Sequence, residues 1–429
     1  MLAGITSFFF VVAFFLPWFG VLPRLLLITF ILLLIVDFAL LFRQASGITG
    51  SRIAPERMSN GDYNLFSVHI ANRYPFPVAV EIIDELPFQF QERNQRFLLS
   101  VPAGRQKKMN YQLRPLKRGE YQFGFLNVFA KTPLGLILRR FTFEGETVIP
   151  VYPSFLQMRK YQLMVISNRL TEIGVRKIRK LGHSMEFEQI RDYVKGDDFR
   201  TINWKATARK NQLMVNAFTD EKSQQVYCVI DKSRVMKMPF EGLSLLDYAI
   251  NASLVLLNVA LLKEDKAGLI TYAEQPGVFL QANRKATQMN AILEVLYKQR
   301  TRYLESDYEK LYGVIRQRIT QRSLIVLFTN FESVSALQRQ MVFLRKIALH
   351  HLLLVVFFEN TEISGLLADP ANDLEKVYVK TIAEKFAYEK KMIVRELQQY
   401  GILSILTPPK DLTVNTVNKY LEIKARQGI

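Results

Sequence analysis

The densest group of residues that could carry acid–base chemistry lies between Leu181 and Glu221. Acids, bases and one histidine alternate there: His183, Glu186, Glu188, Arg191, Asp192, Asp197, Asp198, Arg200, Lys205, Arg209 and Lys210. Paired with Asp192 or Asp197, His183 could act as a general base. No serine or cysteine is tied to this histidine at a spacing typical of a nucleophile. A cryptic enzyme is therefore the weakest of the functional hypotheses.

Other enzyme classes find little support in the sequence. The chain has 4 histidines and 1 cysteine, and it lacks the G-x-x-x-x-G-K-[ST] phosphate loop, so we do not expect it to hydrolyse ATP. The single cysteine, Cys228, excludes an intrachain disulfide and is consistent with a reducing compartment. These observations predict a protein that is not an enzyme.

Apolar residues interrupt the charges of this stretch, which a plain solvated loop would not need. They are Phe187, Ile190, Tyr193, Phe199, Ile202 and Trp204. Gly196 predicts a turn, and Asp197-Asp198 could cap a helix from about Phe199 to Arg209. Two interpretations stay open: an ion-paired linker packed on a domain, or a recognition surface that joins two bodies.

The residue pattern of this stretch resembles the signature of the Domain of Unknown Function 58 family. The matching pattern is G-x-x-x-E-F-x-x-I-R-x-Y-x-x-G-D-D-x-R-x-I-x-W-K-A-T-A-R, from Gly182 to Arg209. The resemblance implies a partner surface formed by Glu186, Arg191, Asp197, Asp198, Arg200, Trp204, Lys205 and Arg209. It also implies a MoxR-type AAA+ ATPase as a partner, in the assembly or maturation of unknown client proteins.

From residue 223 to residue 429, short apolar strands alternate with helical patterns. This rhythm predicts an α/β domain with a doubly wound, mostly parallel sheet. Ligands of such sheets bind at the carboxyl ends of the strands. The ends to inspect are Asp231, Thr329-Asn330 and Phe358-Glu359.

The first of these strands ends in Asp231-Lys232-Ser233-Arg234-Val235. This resembles the D-x-S-x-S loop of von Willebrand factor A domains, whose adhesion site holds Mg²⁺ with oxygen ligands. The resemblance implies a degenerate metal site formed by Asp231, Ser233, Ser306 and Asn330. Val235 replaces the second serine and Asn330 the distal aspartate, while Lys232 and Arg234 bring positive charge. We therefore expect a metal-free fold, with a Mg²⁺-dependent adhesion module as the alternative.

Residues 50–152 consist of short alternating runs separated by turn residues, which predicts a β-sandwich. Three turns resemble markers of the same family: Asp84-Glu85-Leu86-Pro87, Arg118-Gly119-Glu120-Tyr121 and Thr132-Pro133-Leu134-Gly135-Leu136. We expect these turns to have structural roles. Residues 153–222 form the connecting segment between this domain and the α/β domain.

The first 44 residues predict a transmembrane helical hairpin, with spans at about Leu2–Phe19 and Leu22–Phe42. Pro17-Trp18-Phe19-Gly20 would form the turn between them. Arg43, Arg52 and Arg57 follow the second span and place the soluble domains in the cytoplasm, at the inner (cytoplasmic) membrane, whereas Arg24 argues the other way. Asp37 lies within the second span, where we expect it to be hydrated or paired with Arg43.

The net charge of +18 could favour binding to nucleic acid, to an anionic membrane or to an acidic protein partner. Because of the predicted anchor the membrane is the simplest of the three, and no nucleic-acid-binding module is evident. The sequence as a whole predicts a multidomain, membrane-anchored scaffold or adaptor that binds protein partners.

Overall fold

A computed structural model describes residues 2–15, 21–91, 95–143, 145–166, 185–194, 197–220, 223–360 and 373–426. The chain forms two compact units, Met1–Tyr152 and Pro153–Ile429. Both helices and strands are present, so the prediction of a mixed α and β protein is confirmed.

The first unit begins with two apolar helices, α1 (Leu2–Phe15) and α2 (Val21–Phe42). With 22 residues, α2 measures about 33 Å, which is enough to cross a hydrocarbon core of about 30 Å. With 14 residues, α1 measures about 21 Å. The predicted turn at Pro17-Trp18-Phe19-Gly20 lies outside the described residues.

Ten strands follow among the described residues of this unit: β1 (Ile48–Ile53), β2 (Met58–Ser59), β3 (Asn64–Asn72), β4 (Val78–Asp84), β5 (Arg96–Val101), β6 (Gln106–Leu113), β7 (Gly119–Phe123), β8 (Leu126–Lys131), β9 (Leu138–Phe143) and β10 (Thr147–Tyr152). They form sheets with the orders β1-β3-β6, β2-β10-β7 and β5-β4-β8-β9. Pairing is antiparallel except between β2 and β10. Side chains from all of these sheets share one buried cluster, which includes Phe66, Val80 and Phe123.

The alternating run Gly119–Val128 would suit one continuous strand, but it is divided between β7 and β8. The chain breaks between β7 and β8 because Glu85 binds the backbone there. The Gly124 amide donates to the carbonyl oxygen of Glu85 at 2.9 Å, and the Phe125 amide donates to its carboxylate at 3.0 Å. Strands β1 and β9 were not predicted.

The second unit contains α3 (Phe155–Ile166), β11 (Met185–Asp192), α4 (Trp204–Lys210), β12 (Met214–Asp220), β13 (Gln225–Asp231), β14 (Pro239–Phe240), β15 (Leu243–Ser244), α5 (Leu245–Leu262), β16 (Lys266–Tyr272), β17 (Pro276–Asn283), α6 (Gln288–Tyr297), α7 (Tyr308–Arg318), β18 (Leu324–Phe328), α8 (Val334–His350), β19 (Leu352–Phe358), α9 (Leu374–Gln399), β20 (Leu403–Thr407) and α10 (Leu412–Ala425). Within the described residues, its main sheet has the strand order β17-β16-β13-β18-β19-β20. Every neighbouring pair is parallel except β16 with β17.

Helices cover both faces of this sheet because its strands are apolar on both sides. Alternate residues of β13 enter different cores. Cys228 belongs to the cluster that contains α5 and α10, whereas Val229 belongs to the cluster that contains α7 and α8. Helix α5 is long and apolar enough to span a membrane, but 83% of its apolar window is buried, as expected of a core helix.

Strands β11 and β12 pair as an antiparallel hairpin, with α4 in the connection between them. The predicted helix from Phe199 to Arg209 is wrong at its start. Asp198 caps only a single turn of 3₁₀ helix at Phe199–Thr201, and Asn203 caps α4 by accepting from the Ala206 amide at 3.0 Å. The break arises because Ile202 pairs with Val215 as an isolated bridge.

Candidate functional site

The strand order of the main sheet reverses direction between β13 and β18. The chain builds outward from β13 to β16 and β17 on one side, and to β18, β19 and β20 on the other. At such a switch point, the loops that follow the two central strands separate and leave a crevice. Asp231 ends β13, and Thr329 follows β18.

Asp231 is the centre of this crevice, and its carboxylate is held by three donors. Oδ1 accepts from the Ser233 amide at 2.9 Å and from Ser306 Oγ at 2.6 Å. Oδ2 accepts from Thr329 Oγ1 at 2.8 Å. Burial raises the pKa of Asp231, and these hydrogen bonds partly offset that effect.

A tyrosine layer lies beneath the carboxylate. The hydroxyls of Tyr308 and Thr329 are 2.9 Å apart, and the rings of Tyr272 and Tyr308 meet edge to face with centroids 5.6 Å apart. Burial, together with the charge of Asp231, raises the pKa of both phenols. They therefore remain neutral and extend the hydroxyl network into the core.

Three of the four predicted metal ligands come together in the crevice. Ser233 and Ser306 both lie next to Asp231, and Ser233 is buried. A small cleft of about 100 Å³ opens above them. Neutral hydroxyls and one carboxylate could face a cation from this side.

The fourth predicted ligand, Asn330, lines the same cleft, but its amide oxygen is already bound. Its amide oxygen accepts from the ammonium of Lys390 at 2.6 Å, and the same ammonium donates to the carbonyl oxygen of Phe331 at 2.6 Å. Among the described residues, no three His, Cys, Asp or Glu side chains are grouped as metal ligands would be. With one carboxylate and a lysine at the distal position, the residues do not fit a Mg²⁺ site.

A larger cavity of about 460 Å³ lies beside the cleft, shares Asn330 and Glu332 with it, and is also lined by Lys390. Its walls are mainly apolar and include Phe240, Phe358 and Phe386. Burial lowers the pKa of Lys390 to about 8. The crevice thus combines apolar space with one partly buried amine.

Within the described residues, the family signature forms β11 and the connection to β12, including α4. The guanidinium of Arg191 donates to both carboxylate oxygens of Asp197, at 2.9 and 2.7 Å, and the Val194 amide donates to the same carboxylate at 2.9 Å. Hydrogen bonding to Arg191 lowers the pKa of Asp197. These charges are therefore used to hold the turn rather than to act on a substrate.

The signature surface, defined as Phe199, Arg200, Trp204, Lys205 and Arg209, is exposed on this hairpin. The Phe199 and Trp204 side chains are each 70% exposed. Glu186 lies in β11 and Asp198 caps the turn before the surface. His183, the proposed base of the enzyme hypothesis, is outside the described residues, and Asp192 is exposed.

Sequence reasoning missed Lys390 and Tyr308 as parts of the crevice. Lys390 is 60 positions from Asn330 and lies on the long charged helix α9, so no local pattern singled it out. Tyr308 is 21 positions from Thr329 and occupies the first turn of α7. The approach of Ser306 to Asp231 was expected only from the resemblance to von Willebrand factor A domains, and Ser306 Oγ does donate to Asp231.

Residues 189–381 match the family model described as protein of unknown function DUF58. This part of the chain belongs to the DUF58 family. The family predicted from the signature is thus confirmed. The uncharacterised protein YeaD of Bacillus subtilis (strain 168) is 30% identical over 180 residues, which cover 40% of this chain and 44% of YeaD. The matched region therefore spans less than half of that relative.

Solved structures resemble parts of the chain more weakly. The VWA domain of SpRpn10 is 12% identical over 45% of this chain and 93% of its own, with a TM-score of 0.29. The protein BatB from Bacteroides thetaiotaomicron is 13% identical over 48% of this chain and 100% of its own, also with a TM-score of 0.29. The PapD-like domain 7 of human CEP192 is 11% identical over 25% of this chain and 87% of its own, with a TM-score of 0.20.

Proposed function

We propose that this DUF58 protein is a membrane-anchored scaffold that binds other proteins and does not catalyse a reaction. In this proposal α1 and α2 form a multi-pass anchor in the inner (cytoplasmic) membrane. The strands β1–β10 form a β-sandwich, and the six-stranded sheet with its helices is a von Willebrand A-like domain. The signature hairpin is the surface that receives a partner.

The observation that carries this proposal is the exposure of Trp204 and Phe199 on a hairpin whose turn is held by the ion pair of Arg191 and Asp197. Large aromatic side chains on a rigid support are the residues that contribute most to protein interfaces. Arg191 and Asp197 fix the turn, so little conformational entropy would be lost when a partner docks. Lys205 and Arg209 add positive charge, which favours an acidic partner.

The partner implied by the family resemblance is a MoxR-type AAA+ ATPase. Such an enzyme would supply the ATP hydrolysis for which this chain has no phosphate loop. The pair would act on client proteins during assembly or maturation of larger complexes.

A cytoplasmic position of the soluble domains rests on the basic residues that follow α2. Arg52 contributes little to this argument because its guanidinium is buried and donates to Asp84 at 2.6 Å. Arg43 and Arg57 remain, and the exposed Arg43 directly follows the helix. Their positive charge favours retention on the cytoplasmic side.

The proposal can be tested by isolating the full-length protein from its own cells in mild detergent and identifying bound proteins by mass spectrometry. We expect a MoxR-type ATPase with the wild-type chain and its loss with Trp204→Ser. Tyr388→Ser is the matched control, since Tyr388 is an exposed aromatic residue on α9. Retention of the ATPase by Trp204→Ser would contradict the signature surface as its binding site.

The alternative expected from the sequence, a Mg²⁺-dependent adhesion module, is opposed by Lys390 at the distal position, and the buried Ser233 beside Asp231 is the residue that tests it. In such a module Ser233→Ala would weaken binding of the partner only in the presence of Mg²⁺. If Ser233→Ala and the wild-type protein retain the partner equally at every Mg²⁺ concentration, the adhesion hypothesis is wrong.

A further inference from the structure

The loop between β8 and β9 covers a carboxylate that lies inside the apolar helix α2. Asp37 is completely buried, although it belongs to the longer of the two apolar helices of the first unit. Thr132 Oγ1 donates to its Oδ1. The Leu136 and Ile137 amides donate to its Oδ2 at 3.0 and 2.8 Å. Asp37 is therefore neither hydrated nor paired with Arg43, and that expectation is wrong.

The end of α2 is also fixed to the strands. Tyr74 donates to the carbonyl oxygen of Leu41 at 2.5 Å. The Arg139 guanidinium donates to the carbonyl oxygens of Leu41, Gln44 and Ala45. A cation at the last carbonyls of a helix also interacts favourably with the helix dipole. These contacts make α2 a rigid continuation of the β-strand region.

The position of Asp37 sets the depth of the covering loop. Asp37 precedes the helix end, Phe42, by 5 residues, which corresponds to about 7 Å along the helix axis. A hydrocarbon core of about 30 Å takes up roughly 20 residues of α2, so Asp37 lies inside its boundary. The loop that binds Asp37 must reach the same depth.

The composition of the loop suits that position. Leu134 and Leu138 are 45% and 46% exposed, and Phe38, next to Asp37 on α2, is 52% exposed. Gly135 adopts a left-handed conformation with φ of +68°, which closes the turn. Backbone amides are tolerated at membrane depth only where they are hydrogen-bonded, and Asp37 accepts from two of them.

We infer that the loop Thr132–Leu138 inserts into the bilayer next to α2, with lipid as its partner. The inference rests on the proposed membrane anchoring. Exposed cations at the base of the loop, Lys131 and Arg43, lie where lipid phosphate groups would be. Asp37 serves as the internal acceptor that makes insertion of the loop backbone possible.

Single-cysteine labelling tests this inference directly. The natural cysteine, Cys228, is buried, so an introduced cysteine would be the accessible one. The full-length protein is labelled with an environment-sensitive fluorophore in a Leu134→Cys variant. It is then reconstituted in phosphatidylcholine vesicles with and without bromine on the acyl chains. Bromine quenches only a fluorophore in contact with the hydrocarbon.

Two variants provide the controls. Ile35→Cys places the label on the exposed face of α2 and reports on the anchor itself. Phe88→Cys places it next to the other end of the sheet, since Phe88 follows β4 and its side chain is 85% exposed. We expect Leu134→Cys to lose fluorescence to a similar extent as Ile35→Cys, and Phe88→Cys to keep it.

The possible failures can be told apart. Quenching at residue 35 without quenching at residue 134 would overturn the inserted loop and leave the anchor in place. No quenching at residue 35 would overturn the membrane anchoring, and the loop inference with it. Equal quenching at residues 134 and 88 would contradict insertion of this loop in particular.

Discussion

Asn330 accepts a hydrogen bond from the ammonium of Lys390 at 2.6 Å, so the residue that stands at the distal ligand position already binds a cation. This arrangement predicts that Mg²⁺ has no site in the natural chain. A ligand that binds only the folded state raises the melting temperature. We therefore expect no Mg²⁺-dependent change in the melting temperature of the full-length protein in detergent. Saturable stabilisation by Mg²⁺ would contradict this interpretation of the cleft.

Restoring the two oxygen ligands that Val235 and Asn330 fail to supply should restore Mg²⁺ binding. The positive charge of Lys390 should weaken that binding. The double substitution Val235→Ser with Asn330→Asp supplies a hydroxyl and a carboxylate, and we expect weak stabilisation by Mg²⁺. Adding Lys390→Met removes the ammonium that would neutralise the new carboxylate, so stabilisation should increase. If the triple variant is as indifferent to Mg²⁺ as the natural chain, the assignment of the ligand positions is wrong.

The buried ammonium of Lys390 also predicts that the free energy of unfolding depends on pH in the alkaline range. Its pKa in the folded state is lowered from 10.5 to about 8, so folding disfavours its charged form. Its contribution to stability is present above pH 10.5 and is lost as the pH falls through 8. Between pH 10 and pH 7, the wild type should lose about 1–3 kcal/mol relative to Lys390→Met. Denaturation at the two pH values measures this change, with the exposed Lys385→Met as control.

For Asp231 we expect the opposite: its contribution to the stability of the fold decreases as the pH rises from the acidic range. Because burial raises its pKa, folding disfavours the ionised carboxylate. Its contribution to stability is complete below the ordinary pKa of 3.8 and is lost as the pH rises through the folded value. The melting temperature of Asp231→Asn relative to the wild type should therefore be higher at pH 8 than at pH 4. A difference that does not change with pH would show that Asp231 does not carry the raised pKa.

The sequence predicted the α/β sheet well because its strands are buried on both faces. Continuous apolar runs such as Ser323–Thr329 and His351–Phe358 correspond to β18 and β19 with shifts of one residue at their ends. The hairpin of β11 and β12 was missed for the opposite reason. Its strands are rich in polar residues, and 21 residues separate them, so neither periodicity nor a short turn marked the pairing.

In the candidate site too, contacts between residues close in the sequence could be predicted, whereas contacts between distant residues could not. The proximity of Asp231 and Ser233 followed from the loop at the end of β13, whereas Ser306 was expected there only from the resemblance to von Willebrand factor A domains. The partner of Asp37 could not be deduced, since Thr132 is 95 positions away and is brought close only by the docking of α2. The role of Lys390 likewise depends on how α9 packs.

The buried pair of Arg52 and Asp84 is expected to be critical for the β-strand region. Asp84 accepts from Arg52 at 2.6 Å and also from the hydroxyl of Tyr111. Arg52→Met would leave a buried carboxylate without its cation and should destabilise this region by about 3–5 kcal/mol. In the double variant Arg52→Met with Asp84→Leu, most of this loss should be recovered. Chemical denaturation of the two variants would measure the coupling, and a double variant as unstable as Arg52→Met would contradict it.

Asp37 gives a prediction that links the anchor to the strands. Asp37→Ala would leave the amides of Leu136 and Ile137 without an acceptor, at a cost of about 1–3 kcal/mol for each buried group left unsatisfied. Asp37→Asn should cost less, because its amide oxygen can still accept from these amides while Thr132 Oγ1 reverses its role and accepts from the amide group. Hydrogen exchange at residues 136 and 137 should therefore accelerate strongly in Asp37→Ala and weakly in Asp37→Asn. Thr29→Ala is the control, because Thr29 lies on the same helix and its hydroxyl bonds only within that helix. Unchanged exchange in Asp37→Ala would mean that the carboxylate does not hold the loop against α2.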